Sequence, residues 1–514
     1  MNLKIFSHHV LAKIDALSNK QWIGLLAMIA GLITVRIHYV HMGWINSDSV
    51  LYLEAAKWMA AGDFRQALAI YNWPFYSICI ALVAKLFHIP ILLSAQILST
   101  VFFMLSTTAF LNIVSRLGGN QRTLIIAALS LFGCDYLVGD VLPMLMRDQG
   151  YWAFFLLSVW VFIKFIEQPT WLSGGLWQMS IVIAVLFRIE GIFYLALPMI
   201  VVFEPALAWR DKLLVWLKAN YLVLLGLLLL LSSLYFLPSH YLGRLLELSP
   251  QQVMQSYHAM LVKKSDLMST QVLGRYLNEY ALLIILIGFL LITFLKSIFS
   301  VGLISSALAA NYVWQVKKSS LSMRALYAVM FISFISMYGI ITKVFVLSGR
   351  YIISMSFMLL ILASFGLAQL LHSKAHRYNK KIALIVLMIF ALTAVKNLMP
   401  KPERFDFRQD AMVWLKNNNP QQEKVFFNEI RLAYYYQDQD LLDWIMLMKK
   451  AHSKIQHRAI STLNQYPFLA IYVTPGDQAL YQTISQSQKF NEIARFYNHD
   501  RKKYISIFRQ REPL

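Results

Sequence analysis

The chain has 514 residues, 58% of them hydrophobic and 14% charged, with a mean hydropathy of +0.55 and a formal net charge of +21. Soluble domains run at about 45–50% apolar and about 25% charged, so an ordinary soluble protein is excluded. The basic excess comes with no recognition helix and no basic–aromatic motif, which argues against nucleic acid and for basic membrane loops and anionic lipid.

Repeated apolar stretches of about 20 residues match a hydrocarbon core about 30 Å thick and read as transmembrane helices. They are too long and too continuous for barrel strands. Lys4, Lys13 and Lys20 predict a cytoplasmic N-terminus. The apolar run behind them carries Arg36 and no small-residue cleavage site, so a retained first helix is expected over 22–40. That crossing delivers Asp48 to the outer face. Residues 49–61 have helical spacing closed by Gly62-Asp63, and 73–88, opened by Trp73-Pro74, is long enough only for an interfacial or re-entrant helix.

Segment 91–114 then enters and ends in SRLGGNQR, with Arg116 and Arg122 cytoplasmic. Segment 123–142 exits and carries MLMRDQGY (144–151) outward; 150–166 enters again. Residues 176–187 and 191–207 form a short helical pair broken by FRIEG, which places Arg188 and Glu190 outside and Arg210, Lys212 and Lys218 inside. Segment 219–238 exits into a polar stretch, 239–276, whose length favours a functional role: with His258, Lys263, Lys264 and Arg275 it reads either as a loop closing over a substrate or as a solvated loop with an amphipathic interfacial helix. Residues 277–316 hold either one span plus an amphipathic piece or two spans, and cytoplasmic Lys317, Lys318 and Arg324 favour one. Segments 325–345, 351–371 and 382–399 complete about eleven crossings, with LSGRY (347–351) outside and HSKAHRYNKK (372–381) inside.

Composition changes at Pro400. The expected organisation is a polytopic α-helical membrane domain over 1–399, with outer loops at 41–90 and 239–276, and a small extracytoplasmic α/β domain over 400–514. In the latter, short apolar runs (KVFF, FLAIYV) alternate with helical patterns (DAMVWLKNN, DQALYQTI). Cys79 and Cys134 lie inside apolar stretches, so no disulfide framework is expected.

This topology collects Asp48, Arg147-Asp148, Arg188-Glu190 and Arg350-Tyr351 at helix ends on one face, with Arg36 about three helical turns before Asp48. Each has a plain explanation. Asp48 can be a solvated interfacial charge, Arg36 and Arg188 can snorkel to headgroups, Arg147-Asp148 can be an exposed pair, and Tyr351 can belong to an aromatic belt. Together they supply a carboxylate able to accept a proton and arginines able to hold phosphate bidentately, and charges at bilayer depth usually mark function.

The order of these features resembles the GT-C superfamily of lipid-linked glycosyltransferases. The first helix carries an arginine, the outer loop an aspartate, and Trp73-Pro74 opens a short helix; Asp148, the Arg-Ile-Glu-Gly break and Arg350-Tyr351 follow. The resemblance is nearest to bacterial protein O-mannosyltransferases and lipid A aminoarabinose transferases and covers about residues 20–400. The stretch DFRQDAMVWLKNNNPQQEKVFFNEIRLAYYYQ resembles the extracytoplasmic domains of many bacterial members. It implies Asp48 as catalytic base, Asp148 as the second-loop acid near acceptor or donor sugar, and Arg350 near the donor phosphate. Arg36, Arg147, Arg188, Glu190 and Tyr351 would line the same donor site. The implied enzyme is an inverting glycosyltransferase in a bacterial inner membrane, with a polyprenyl-phosphate sugar donor and a periplasmic lipid, glycan or protein acceptor. The chain departs from the pattern in having Asp48-Ser49 for Asp-Glu and a lone Asp148 for an Asp-x-Asp pair. The second departure weakens the case for a divalent metal, and no cofactor is implied. Two other classes stand beside the transferase: a transporter or flippase of lipid-linked sugar, for which no pseudo-symmetric interrupted helices are seen, and a non-catalytic scaffold presenting the C-terminal domain.

Overall fold

The computed structural model describes residues 17–204, 207–236, 250–316, 320–372, 377–404, 407–436, 463, 465–476 and 478–511. The chain begins with α1 (Asn19–Val40), α2 (Ser47–Ala61), α3 (Phe64–Ile70), α4 (Phe75–Phe87), α5 (Ile91–Arg116) and α6 (Gln121–Phe132). A π-helical turn (Asp135–Val141) leads to α7 (Arg147–Glu167) and α8 (Trp171–Phe187). A 3₁₀ helix (Ile189–Ala196) and α9 (Met199–Val202) precede α10 (Trp209–Phe236), α11 (Pro250–Gln271), α12 (Ala281–Phe299), α13 (Leu303–Gln315) and α14 (Leu321–Val344). The 3₁₀ turn Gly349–Ile352 opens α15 (Ile353–His372), and α16 (Arg377–Asn397) follows.

Among the described residues eight helices are long and apolar enough to cross a membrane, or nine if the bent pair of α6 and the π-helical turn counts as one span. The expected eleven are reached only by adding the short apolar helices 171–187 and 189–202. The third expected crossing is not one rod: it bends by 47° after Phe132. The amide of Asn397 reaches back to the Phe132 carbonyl at 3.1 Å, supplying a partner in a setting that offers no water. Residues 277–316 contain one long span, Asn278–Phe299, followed by the short α13, which matches the arrangement favoured by the basic residues behind it. Of the two readings of 239–276, the one with a helix matches α11, which runs for 22 residues; 239–249 lies outside the described residues. After Pro250, whose place at the helix start is a tolerated one, this stretch holds neither proline nor glycine, so a polar helix was open to it.

The chain forms two compact units. One comprises Met1–Leu32, Val101–Asp140 and Arg147–Asn397, the other Ile33–Thr100, Val141–Met146 and Leu398–Leu514. In the first, α15 is buried along nearly its whole length, whereas α10, α12 and α16 expose most of theirs, as helices facing lipid do.

In the second unit, α2 ends with Gly62 N–H donating to Met59 O (3.0 Å) and Asp63 N–H to Trp58 O (2.9 Å). The Asp63 carboxylate then accepts from Gln66 N–H and caps α3. The C-terminal part holds α17 (Phe407–Asn418), β1 (Val425–Phe427), α18 (Ile430–Tyr436), β2 (Phe468–Val473), α19 (Gln478–Gln486), β3 (Phe490–Tyr497) and β4 (Tyr504–Gln510). Its sheet has the order β1-β2-β4-β3, parallel between β1 and β2 and antiparallel elsewhere. Phe426, Leu469, Ile471, Ile484, Phe490 and Phe508 form its core. The sequence runs KVFF and FLAIYV are the strands β1 and β2, because β-branched and aromatic residues bounded by polar turns suit a buried pleated strand.

Candidate functional site

The break between α8 and the following 3₁₀ helix creates the densest charge cluster of the first unit. Arg188 leaves α8 with extended backbone (φ −144°, ψ 125°), which ends the helix and turns its side chain toward Glu190. The pair is bidentate: Arg188 Nε donates to Glu190 Oε2 at 3.3 Å and Nη2 to Oε1 at 3.2 Å. Arg188 Nη1 donates to Asp148, in the first turn of α7, and lies 3.5 Å from the Arg350 carbonyl. Arg350 Nη1 stands 4.0 Å from the other Asp148 oxygen.

Burial decides what these contacts mean. The Arg188 and Asp148 side chains are 5% and 1% exposed, whereas that of Arg350 is 34% exposed. Two carboxylates and two guanidiniums cancel in formal charge, which is the condition for keeping them out of water. The Arg188 guanidinium also lies 4.9 Å from the Tyr351 ring centre and 5.8 Å from that of Tyr151, whose hydroxyl pairs with Ser354 Oγ at 2.9 Å. With its donors directed to two acids, Arg188 orders the cluster; Arg350 is the arginine that also meets solvent.

Close approach depends on Gly150. A Cβ at this position, one turn into α7, would overlap the ring of Phe187, the last residue of α8. Glycine lets Phe187 seat there and brings Arg188 within reach of Asp148.

Asp48 belongs to the second unit. It is half-buried, in the first turn of α2, where the helix dipole favours a negative charge. The loop before it is tied to residues far along the chain. His41 Nδ1–H donates to Ile37 O (2.9 Å), leaving Nε2 to accept from Arg404 Nη1 (3.3 Å), and the Arg404 guanidinium lies 4.9 Å from the Trp44 ring centre. Burial, followed by the nearby charges of Arg404 and Lys401, holds the His41 imidazole below its usual pKa. Ser49, where Asp-Glu was the pattern, is fully buried.

No protein-family model and no curated sequence matches the chain. The crystal structure of ArnT from Cupriavidus metallidurans in the apo state does match, with a TM-score of 0.54 at 12% identity over 95% of this chain and 97% of that one. The chain has a GT-C fold. A cryo-EM structure of arabinofuranosyltransferase AftD from Mycobacteria is less similar, with a TM-score of 0.48 at 11% identity; it is matched over 97% of this chain but 40% of its own length.

Within this GT-C fold Asp148, Arg188, Glu190, Arg350 and Tyr351 gather at one place, and the Arg147 charge also acts on Glu190. Arg36 does not join a buried group. It lies on the exposed face of α1 with Leu32, Val35 and Tyr39, 5.8 Å from the Tyr39 ring centre, as a snorkelling arginine would. Helical phase is the reason: the packed face of α1 carries Ala30, Thr34 and Ile37. Sequence reasoning missed Tyr151 and Gly150, although a glycine in a first helical turn beside Arg-Asp was a usable signal. Among the described residues no three His, Cys, Asp or Glu side chains gather as a metal site requires.

Two outcomes follow from this geometry. Gly150→Ala should displace Phe187 and destabilise the detergent-solubilised protein by about 1–3 kcal/mol, read as a lower Tm; Gly24→Ala, which meets open space inside α1, should leave Tm unchanged or raise it. Because the folded pKa of His41 lies below its ordinary 6.5, the neutral imidazole contributes its full stability above that pH and loses it as pH falls toward the folded value. The Tm should therefore drop between pH 7.5 and pH 5.5, about 1 unit either side of an ordinary histidine pKa, and by less in His41→Gln.

Proposed function

We propose that this chain is an inverting glycosyltransferase that passes a sugar from a polyprenyl-phosphate donor to an acceptor hydroxyl at the outer face of a bacterial inner membrane. The observation that carries this reading is the charge-compensated set of buried Asp148 and Arg188 with Glu190 and the partly exposed Arg350 at helix ends of a GT-C fold. Charges in such a setting are costly and mark a functional site. The ArnT-like fold over 95% of the chain supports the same class of chemistry.

In this mechanism the donor tail lies in the bilayer and its sugar reaches the outer side. The acceptor oxygen attacks the anomeric carbon in line and gives its proton to Asp48. The bond from that carbon to the phosphate oxygen breaks, and polyprenyl phosphate leaves with the electron pair. Arg350 stabilises the growing phosphate charge. Arg188 holds Asp148 and Glu190 in place, because its donor nitrogens already serve them. Asp148, its carboxylate 1% exposed and held by Arg188, acts on the donor only through Arg350, 4.0 Å from it. The reading assigns no cofactor, since a lone Asp148 replaces the acidic pair that would suit a divalent metal. The acceptor is an envelope lipid, glycan or protein, and the C-terminal domain lies on the periplasmic side, opposite the basic loops.

A base within reach of the proton it takes contributes about 10²–10⁴-fold, so Asp48→Asn should lose transfer by that factor while expression and donor binding persist. The assay follows labelled polyprenyl-phosphate sugar in reconstituted vesicles; full activity of Asp48→Asn refutes the base, and redistribution of donor without product points to a transporter. Arg350→Ala should bind polyprenyl phosphate about 10-fold or more weakly, equal to the loss of one charge-assisted contact. Unchanged affinity removes Arg350 from the phosphate site.

A further inference from the structure

The start of α2 is not secured by its own sequence. Asn46 occupies the N-cap position yet makes no capping hydrogen bond, and its side-chain amide instead points at Met146 Sδ, 3.4 Å away. Residues remote in sequence hold this segment. Tyr435, in α18, donates its hydroxyl to Gly43 O at 2.9 Å and accepts from Ile45 N–H at 3.1 Å. One phenol therefore bridges two backbone groups on either side of Trp44. Gly43 has φ +88°, and a Cβ there would press on the Gln409 side chain, so the C-terminal residues approach the turn at its backbone. Arg404 closes the other side through His41 and Trp44.

We propose that Tyr435 and Arg404 of the C-terminal segment are positioning residues for Asp48, holding the 41–46 turn so that the first turn of α2 presents the carboxylate in one place. This rests on the reading of Asp48 as the base. The physical reason is that an uncapped helix start frays, and a base displaced by about 1 Å can cost about 10²-fold in rate. Tyr435 bonds to main-chain atoms, so it sets the path of the loop whatever the side chains between. The C-terminal domain thereby acts on the reaction without touching substrate.

The test uses the full-length protein in nanodiscs and two variants, Tyr435→Phe and Arg404→Gln. Hydrogen exchange of residues 43–50 is measured together with turnover of a lipid extract carrying labelled polyprenyl-phosphate sugars. Loss of the phenol hydroxyl should speed exchange at Ile45 and the first turn of α2 about 3- to 10-fold, the worth of one hydrogen bond. It should lower kcat about 10-fold or more with KM for the donor unchanged. Arg404→Gln, which keeps Tyr435, should give the same pattern and covers a Tyr435 variant that fails to fold. If exchange rises while kcat is unchanged and Asp48→Asn is inactive, the base stands and the positioning role is overturned. If exchange does not change in either variant, the loop is held by other contacts and the proposal is overturned. If Asp48→Asn transfers at full rate, the base assignment itself falls, and positioning of Asp48 falls with it.

Discussion

The constraint on which the first unit depends is the cost of holding a guanidinium out of water. Arg188 is 5% exposed, and an unpaired charge there would disfavour the fold by several kcal/mol. The local architecture answers that cost. α8 ends at Arg188 so that the backbone turns extended, and a 3₁₀ helix presents Glu190 two residues later. α7 begins one residue before Asp148, and the turn at Gly349–Ile352 brings the Arg350 carbonyl and the Tyr351 ring to the same guanidinium. These helix ends, far apart along the chain, share one charge balance. A guanidinium committed to two carboxylates is a scaffold for them, which is why the phosphate role is proposed for the more exposed Arg350.

The second unit solves a different problem with the same economy of contacts. A carboxylate proposed as a base in a first helical turn needs a helix whose start does not wander. Asn46 stands at the N-cap position, but the fold directs its amide to Met146 Sδ. The task passes to Tyr435 and Arg404, whose partners are two backbone groups, an imidazole and an indole. Chemistry proposed for residue 48 thus depends on residues beyond 400. The C-terminal α/β part has a core of its own and at the same time supplies contacts to the 41–46 turn.

Much of the fold was legible because its signals are local and additive. Hydropathy summed over about 20 residues locates a span wherever that span packs, and α5, α7, α14 and α15 lie where the sequence places them. The breaks were less legible. At the bend after Phe132 the carbonyl is met by the carboxamide of Asn397, 265 positions later, and no window of local sequence contains both. Residues 171–187 fall short of a standard crossing, so counting by length reaches eight or nine spans where charge alternation reaches eleven. The bounds of α11 were not legible because a polar helix carries little apolar periodicity against which to read its 3.6-residue repeat.

For the site, the residue types and their neighbourhoods at helix ends were determined by sequence alone: Asp48 after the first span, Asp148 opening α7, Arg188-Glu190 at a break, Arg350-Tyr351 before α15. Which of them meet was decided only by tertiary packing. Arg188 and Asp148 lie 40 positions apart and join because Gly150 admits Phe187, whereas Arg36 faces outward because the phase of α1 turns its packed side away. Local sequence sets hydropathy and backbone propensity, which sum along the chain. A charge pair in a low-dielectric interior forms only when side-chain shapes from separate helices bring its members within a few ångströms, and that depends on three-dimensional fit.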